Sequence, residues 1–252
     1  MLFENQVVLI TGGGSGIGKA TVCKFHELGA SVVFADCNQG LSRRLCEELA
    51  SSRVYFVATD VADEDQVRNL VAQTISRYGQ IDVLVNNAAI FILKSIDATV
   101  EDWEQMLRVN IMGQALVTKH VVEHMKRRRQ GAIINLGSIS AVIAQKNQLT
   151  YNVTKAAMVE MTKCLALDLK DYNIRVNSVS PGWVMTENVH HLLYEERRMG
   201  NEQIKAEMGS LHLLGRLAEP HEIANVIAFL ASNDASFIDG ANLMVDGGYT
   251  TV

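Results

Sequence analysis

Seven short apolar runs recur along the chain at intervals too long for hairpins: VVLIT (7–11), SVVFA (31–35), VYFVA (54–58), IDVLVN (81–86), GAIINLGS (131–138), IRVNSVS (174–180) and NLMV (242–245). They are continuous and rich in β-branched residues, without polar alternation, which is the pattern of strands covered on both faces. Helix-like stretches separate them, over 17–28, 39–50, 63–78, 101–127, 151–171, 187–208 and 219–231. Parallel strands need crossovers of this length, and helices provide them. The expected architecture is α/β, a doubly wound, seven-stranded parallel sheet with helices on both faces. No linker, repeat or low-complexity tract interrupts the 252 residues, so one domain over 1–252 accounts for the chain.

Charge and cysteine content exclude several function classes. Lys and Arg number 23 against 28 Asp and Glu, a net charge of −5, which leaves no basic footprint for nucleic acid. The run Lys126-Arg127-Arg128-Arg129 falls where a helix should end, and cations there oppose the macrodipole. Cys23, Cys37, Cys46 and Cys164 match no metal-ligand spacing and no disulfide framework. His120 and His124 share a helix face but lack a third ligand, so no metal is expected. No apolar run approaches the length of a membrane span, and no export signal is recognised. The expectation is a cytoplasmic protein acting on a small molecule, with no nucleic-acid or membrane partner.

The first strand runs into Gly12, Gly13, Gly14, Gly16 and Gly18, then Lys19. A mononucleotide P-loop would place Ser or Thr after that Lys to hold magnesium, and Ala20 stands there instead. The G-x-G-x-x-G spacing is also absent. Gly12, three residues, then Gly16, Ile17 and Gly18 form a longer strand-to-helix turn, where free N–H groups at the helix start favour a pyrophosphate. The second strand ends at Asp36, about 20 residues further on, where a carboxylate accepts from ribose hydroxyls and repels a 2′-phosphate. Cys37 and Asn38 follow it, and Arg43 and Arg44 lie a turn or more into the next helix. These features favour NAD over NADP.

The ordered set TGGGSGIG (11–18), NNAA (86–89), Ser138, YNVTK (151–155), PGWVMT (181–186) and FIDGANLMVDGG (237–248) resembles the short-chain dehydrogenase/reductase family over nearly the whole chain. The resemblance implies a Rossmann-like fold and a nicotinamide cofactor. It assigns cofactor contacts to Gly12, Ser15, Gly16, Ile17, Gly18, Asp60, Val61, Asn86 and Ala88. Asp60 and Val61 match the adenine-contacting pair. Pro181, Gly182, Val184 and Thr186 match the segment near the carboxamide end of the nicotinamide. It further implies that Asn110 joins a water-mediated proton relay to Lys155, that Lys155 also holds the nicotinamide ribose, and that the protein is a tetramer with 222 symmetry. Two positions depart from the pattern: Ala89 stands where Gly is usual, and Asp239 where Thr or Ser is common.

The residue types support the same chemistry. Tyr151 and Lys155 are four apart on a helix and share a face. A free tyrosine has a pKa of about 10 and is a poor base, but a nearby ammonium and an oxidised nicotinamide would lower that value. Tyr151 then exchanges a proton with a secondary alcohol as hydride leaves the same carbon, while Ser138 orients the substrate oxygen.

Segment 183–213 is polar with scattered apolar anchors, as suits a lid over the substrate. Gln145, Trp183, His190, His191 and Tyr194 are the candidate substrate contacts. The leading expectation is an NAD-dependent dehydrogenase of a polyol, sugar or small diol. A 3-oxoacyl or hydroxysteroid enzyme is the alternative within that class. A non-catalytic dinucleotide-binding regulator and a nucleotide hydrolase are the readings of other classes; the first is disfavoured by an intact Ser138, Tyr151 and Lys155, the second by Ala20. Surplus apolar residues on the helices at 101–127 and 151–171 favour a homodimer or homotetramer.

Overall fold

The structure, a computed structural model, describes residues 1–251. Its strands are β1 (Val7–Thr11), β2 (Ser31–Asp36), β3 (Val54–Ala58), β4 (Val83–Asn86), β5 (Gly131–Leu136), β6 (Ile174–Pro181) and β7 (Asn242–Val245). They pair in the order β3-β2-β1-β4-β5-β6-β7, every pairing parallel. The seven-stranded, doubly wound sheet read from the sequence is therefore the fold. In register, Leu9 lies between Val33 and Leu84. The winding reverses between β1 and β4, which opens a crevice at their carboxyl ends.

The helices are α1 (Gly16–Glu27), α2 (Gln39–Leu49), α3 (Glu64–Tyr78), α4 (Val100–Leu107), α5 (Gln114–Arg128), α6 (Leu149–Leu169), α7 (Glu187–His190), α8 (Asn201–Glu207) and α9 (Pro220–Ala231). Strand side chains alternate between the two faces, so each face has its own core. Val8, Ile10, Val32 and Phe34 pack with Val22 and Phe25 of α1 and Ile223 and Ile227 of α9. Leu9, Val33 and Leu84 pack on the other face with Leu70 of α3, Val117 and Val121 of α5, and Leu169 of α6. Both layers press on β1 and β4, which fixes the crevice between them.

Three expected boundaries shift, each for a local reason. The fifth strand stops at Leu136 rather than 138, because Ser138 caps a short 3₁₀ turn at Ile139–Ala141, its Oγ accepting from Ser140 N at 3.0 Å. The expected helix at 101–127 is interrupted by a π-helical turn at Arg108–Gly113, which divides it into α4 and α5. The expected helix at 187–208 is likewise split into α7, a π-helical turn at His191–Glu196, and α8. Arg198 with φ +54° and the extended backbone of Gly200 break it before α8. Among the described residues no helix is long and apolar enough to cross a membrane.

Candidate active site

A cleft of about 890 Å³ follows the carboxyl ends of the central strands. Its floor is the glycine turn. Gly12 has φ +65°, a conformation that side chains disfavour. A Cβ on Gly18 would run into the Gly12 carbonyl oxygen, so the turn closes only with glycine there. Asn87 Nδ2 holds the turn from β4's side, donating to the carbonyls of Thr11 at 3.0 Å and Gly12 at 2.8 Å. Thr11 Oγ1 answers by accepting from Asn87 N and Ala88 N.

Helix α1 opens into this cleft without satisfying its own start. Ser15 makes no side-chain cap bond, and no acidic residue occupies the first turn. The positive end of the helix is thus left for an anion. One is present: Gly16 N donates to Glu187 Oε2 at 2.8 Å. Beside the turn, Asp36 is held from both sides, its Oδ2 accepting from Gly14 N at 2.9 Å and its Oδ1 from Asn38 N at 2.8 Å. The carboxylate lines the cleft at the end of β2. Among the described lining residues, Lys155 is the only Lys or Arg.

At the other end of the cleft Ser138, Tyr151 and Lys155 come together, all three buried. Ser138 lies just past β5, while Tyr151 and Lys155 project from the first turns of α6. Lys155 Nζ donates to the Leu136 carbonyl at 2.6 Å and lies 5.7 Å from the centre of the Tyr151 ring. The Phe91 ring covers Tyr151, centroids 4.9 Å apart and planes tilted by 30°. Burial pushes the Tyr151 hydroxyl well above its ordinary value, and a hydrogen bond with Ser138 works against that rise. Burial also pushes the Lys155 ammonium down, to about 8. In the protein alone desolvation dominates at Tyr151; the lowering expected from the sequence calls for the ammonium together with the positive ring of a bound nicotinamide.

Asn110 sits in the π turn and is buried. Its Oδ1 accepts from Ile90 N at 2.8 Å, and its Nδ2 donates to the Ile90 carbonyl at 3.0 Å and to Thr154 Oγ1 at 3.3 Å. The side chain therefore ties the loop after β4 to α6 and does not line the cleft. An extra residue in one helical turn is a frequent device at functional sites, and here it aims that amide at Ile90.

The remaining expected cofactor contacts, Ser15, Ile17, Asp60, Val61, Ala88, Pro181, Gly182, Val184 and Thr186, line the cleft with Gly12, Gly16, Gly18 and Asp36. Asn86 does not; its amide is buried in the sheet and donates to Thr118 Oγ1 and Asn135 Oδ1, both at 2.9 Å. Gln145 and Trp183 line the substrate end, Gln145 Oε1 accepting from Ser140 Oγ. His191 lines the cleft as well. His190 and Tyr194 do not: their rings stack on each other at 4.4 Å, and Tyr194 donates to Asn201 Oδ1 at 2.7 Å. Sequence reasoning passed over Asn87, Ile90, Phe91, Gln148, Glu187, Val189 and Leu192, which all line the cleft. For Asn87 to Phe91, adjacency to NNAA was an available signal; for the lid residues there was none.

The two departures from the family pattern are accommodated. Asp239 Oδ1 accepts from Val176 N at 2.8 Å and Gly240 N at 3.1 Å, acceptor work that a hydroxyl can also do. Ala89 is part of the cleft wall. Below the lid, His212 Nε2 accepts from Trp183 N at 3.3 Å while its Nδ1 faces the Met208 carbonyl at 3.0 Å. The imidazole therefore carries its proton on Nδ1 and joins the far end of segment 183–213 to the end of β6.

The sequence profile of a family described as "Enoyl-(Acyl carrier protein) reductase" matches residues 12–250. The chain is 39% identical to a cis-4-hydroxycyclohexanecarboxylate dehydrogenase of Sinomonas cyclohexanicum, covering 99% of this chain and 98% of that protein. It is 38% identical to a meso-2,3-butanediol dehydrogenase of Serratia marcescens, covering 99% and 96%. Among solved structures, ElxO with NADP bound superposes with a TM-score of 0.91 at 30% identity, over 98% of this chain and 99% of that one. Fold, motif order and relatives of matching length agree, and the chain belongs to the short-chain dehydrogenase/reductase family, whose oxidoreductases bind a nicotinamide dinucleotide.

Proposed function

We propose that this oxidoreductase interconverts a secondary alcohol and a ketone with NAD, using Tyr151 as the acid/base. The convergence of Ser138, Tyr151 and Lys155 at one end of a cleft whose other end carries Asp36 beside the glycine turn is the observation that carries this reading. The cleft fits the cofactor: the glycine turn, closed tightly at Gly18, brings to the cleft floor an α1 start with no cap bond or acid of its own, and Asp36 is fixed beside it as an acceptor for ribose hydroxyls. A bound nicotinamide supplies the hydride-accepting ring and a positive charge. Tyr151 takes the hydroxyl proton of the alcohol and returns it in the reverse direction, and Ser138 holds the substrate oxygen. Lys155 stabilises the phenolate and holds the nicotinamide ribose. Asn110 takes part through the turn it occupies, since its amide is committed to Ile90 and Thr154.

Among sugars, polyols and small diols, we favour a small diol from the lining of the cleft near Tyr151. Phe91, Leu93, Trp183, Val189 and Leu192 are its apolar walls, and Ser140, Gln145, Gln148, Asn188 and His191 are polar residues of the same lining. A neutral small diol or cyclic alcohol suits such walls better than a sugar, whose many hydroxyls each need a partner. The butanediol dehydrogenase among the relatives supports a diol, while an L-fucose dehydrogenase of Mus musculus, 38% identical, is the relative that favours a sugar. A 3-oxoacyl substrate stays as the second reading, favoured by the apolar walls and by a relative 37% identical, a 3-oxoacyl-(acyl-carrier-protein) reductase of Thermotoga maritima.

The test is a panel of diols, cyclic alcohols, polyols, sugars, hydroxysteroids and a 3-oxoacyl thioester, run with both cofactors. Turnover should be highest with a small diol or cyclic alcohol, and kcat/KM with NAD should exceed that with NADP by about a hundredfold, since a carboxylate facing a 2′-phosphate is strongly unfavourable. Asp36→Ala should shrink that preference by roughly tenfold or more, from both sides. Equal use of the two cofactors by the wild type would show that Asp36 does not select. Highest turnover with sugars would overturn the substrate assignment.

We also infer a homotetramer. Leu107, Met112, Val153 and Leu167 on α4 to α6 are exposed, as are Phe237 and Leu243 around β7. Two separate apolar faces fit two isologous interfaces. Sedimentation at micromolar concentration should give four copies; a dimer would remove one interface, and a monomer both.

A further inference from the structure

We propose that Glu187 is an internal competitor for the dinucleotide's phosphates, a carboxylate latch that cofactor binding must displace from the start of α1. The proposal rests on the reading that this cleft binds a nicotinamide dinucleotide.

The contact joins residues 171 positions apart: Gly16 N donates to Glu187 Oε2 at 2.8 Å. Gly16 is the first residue of α1, with φ +53°, and both it and Glu187 line the cleft. The lid rests directly on this turn, since a Cβ on Gly16 would lie 3.1 Å from Thr186 Cγ2 and 3.8 Å from Glu187 Oε2. The helix supplies no anion of its own, with no cap bond from Ser15 and no acid in its first turn. Glu187 therefore fills a need that a phosphate would otherwise fill, at the place where helix dipole and free N–H groups favour negative charge.

The two occupants exclude each other. One N–H cannot serve a carboxylate and a phosphate equally, and two anions at this exposed helix start repel. Arrival of the dinucleotide thus drives Glu187 off Gly16. Val189 and Leu192 follow Glu187 in the chain and line the same cleft, so the displacement is transmitted to the substrate walls. The latch lowers dinucleotide affinity below what the cleft alone would give and speeds release, by competing for the same state.

Two variants separate charge from contact. Glu187→Gln keeps the length and an acceptor oxygen but removes the charge; Glu187→Ala removes both. Equilibrium titration of the full chain with NADH, followed by fluorescence, should show Kd about fivefold lower in Glu187→Gln and lower still in Glu187→Ala. Adenosine, which has no phosphate, should bind all three proteins alike, and the difference between wild type and Glu187→Gln should shrink in high salt. Unchanged or weaker NADH binding in both variants overturns the latch, as does an equal gain in adenosine affinity. A wild-type protein that binds neither NADH nor NADPH would instead overturn the dinucleotide reading itself, so the two failures are distinguishable.

Discussion

Tyr151→Phe should give a folded protein that binds NADH with unchanged affinity and turns over roughly a thousandfold more slowly. The substitution removes one oxygen and leaves the ring, so the stacking on Phe91 at 4.9 Å survives. What disappears is the hydroxyl that the proposed mechanism uses to exchange the substrate's proton, with its bond to Ser138. That group is buried and held well above its ordinary pKa by desolvation. A base so placed depends on nearby positive charge to ionise. Proton transfer by a positioned side chain accelerates reactions by about 10²–10⁴-fold, which sets the size of the loss. The measurement is steady-state kcat beside a binding titration. A kcat within tenfold of the wild type removes Tyr151 from the role, and a parallel loss of binding would make it a structural residue.

The parts of the site that are legible in the sequence are local in the chain. Strands β1, β2 and β3 stand out because a parallel sheet buries both faces, so each strand is one unbroken apolar run. Asp36 and the glycine turn lie on consecutive elements, and Tyr151 and Lys155 share one helix face, so spacing alone groups them. The π turn at Arg108–Gly113 is invisible for the opposite reason. The apolar residues on either side of it keep a helical rhythm, and nothing in the pattern marks one extra residue. Segment 183–213 resists reading because its helices are too short for a periodic stripe to stand out, although Leu193, Met199, Ile204 and Met208 form a small buried cluster. His190 and Tyr194 were chosen by residue type, yet in space each satisfies the other's ring. Glu187 meets Gly16 only through tertiary structure, across a separation that no local motif spans.

Lys155→Met should stabilise the protein without cofactor while reducing turnover by at least about a hundredfold. The wild-type ammonium is buried, with its pKa lowered from 10.5 to about 8 by desolvation alone. Between those two values the unfolded chain binds more protons than the folded one, so wild-type stability rises with pH across that window. Below it, the buried charge costs roughly 3 kcal/mol at neutral pH, offset in part by the bond to the Leu136 carbonyl at 2.6 Å. Methionine has a similar length and flexibility and fills the same space without a charge. A net gain of about 1–2 kcal/mol follows, or roughly 2–8 °C in Tm for a chain of this size. Thermal melts at pH 7 and pH 10 check the sign: the variant's advantage should be largest at pH 7 and narrow at pH 10, where wild-type Lys155 is already neutral. The activity loss follows because no other Lys or Arg among the described residues lines the cleft to support a phenolate. A variant that loses stability and turnover together at pH 7 would make Lys155 a residue that holds the fold. Gain in one with loss of the other is what a strained functional group predicts, because the charge is kept against its own desolvation for the sake of the chemistry beside it.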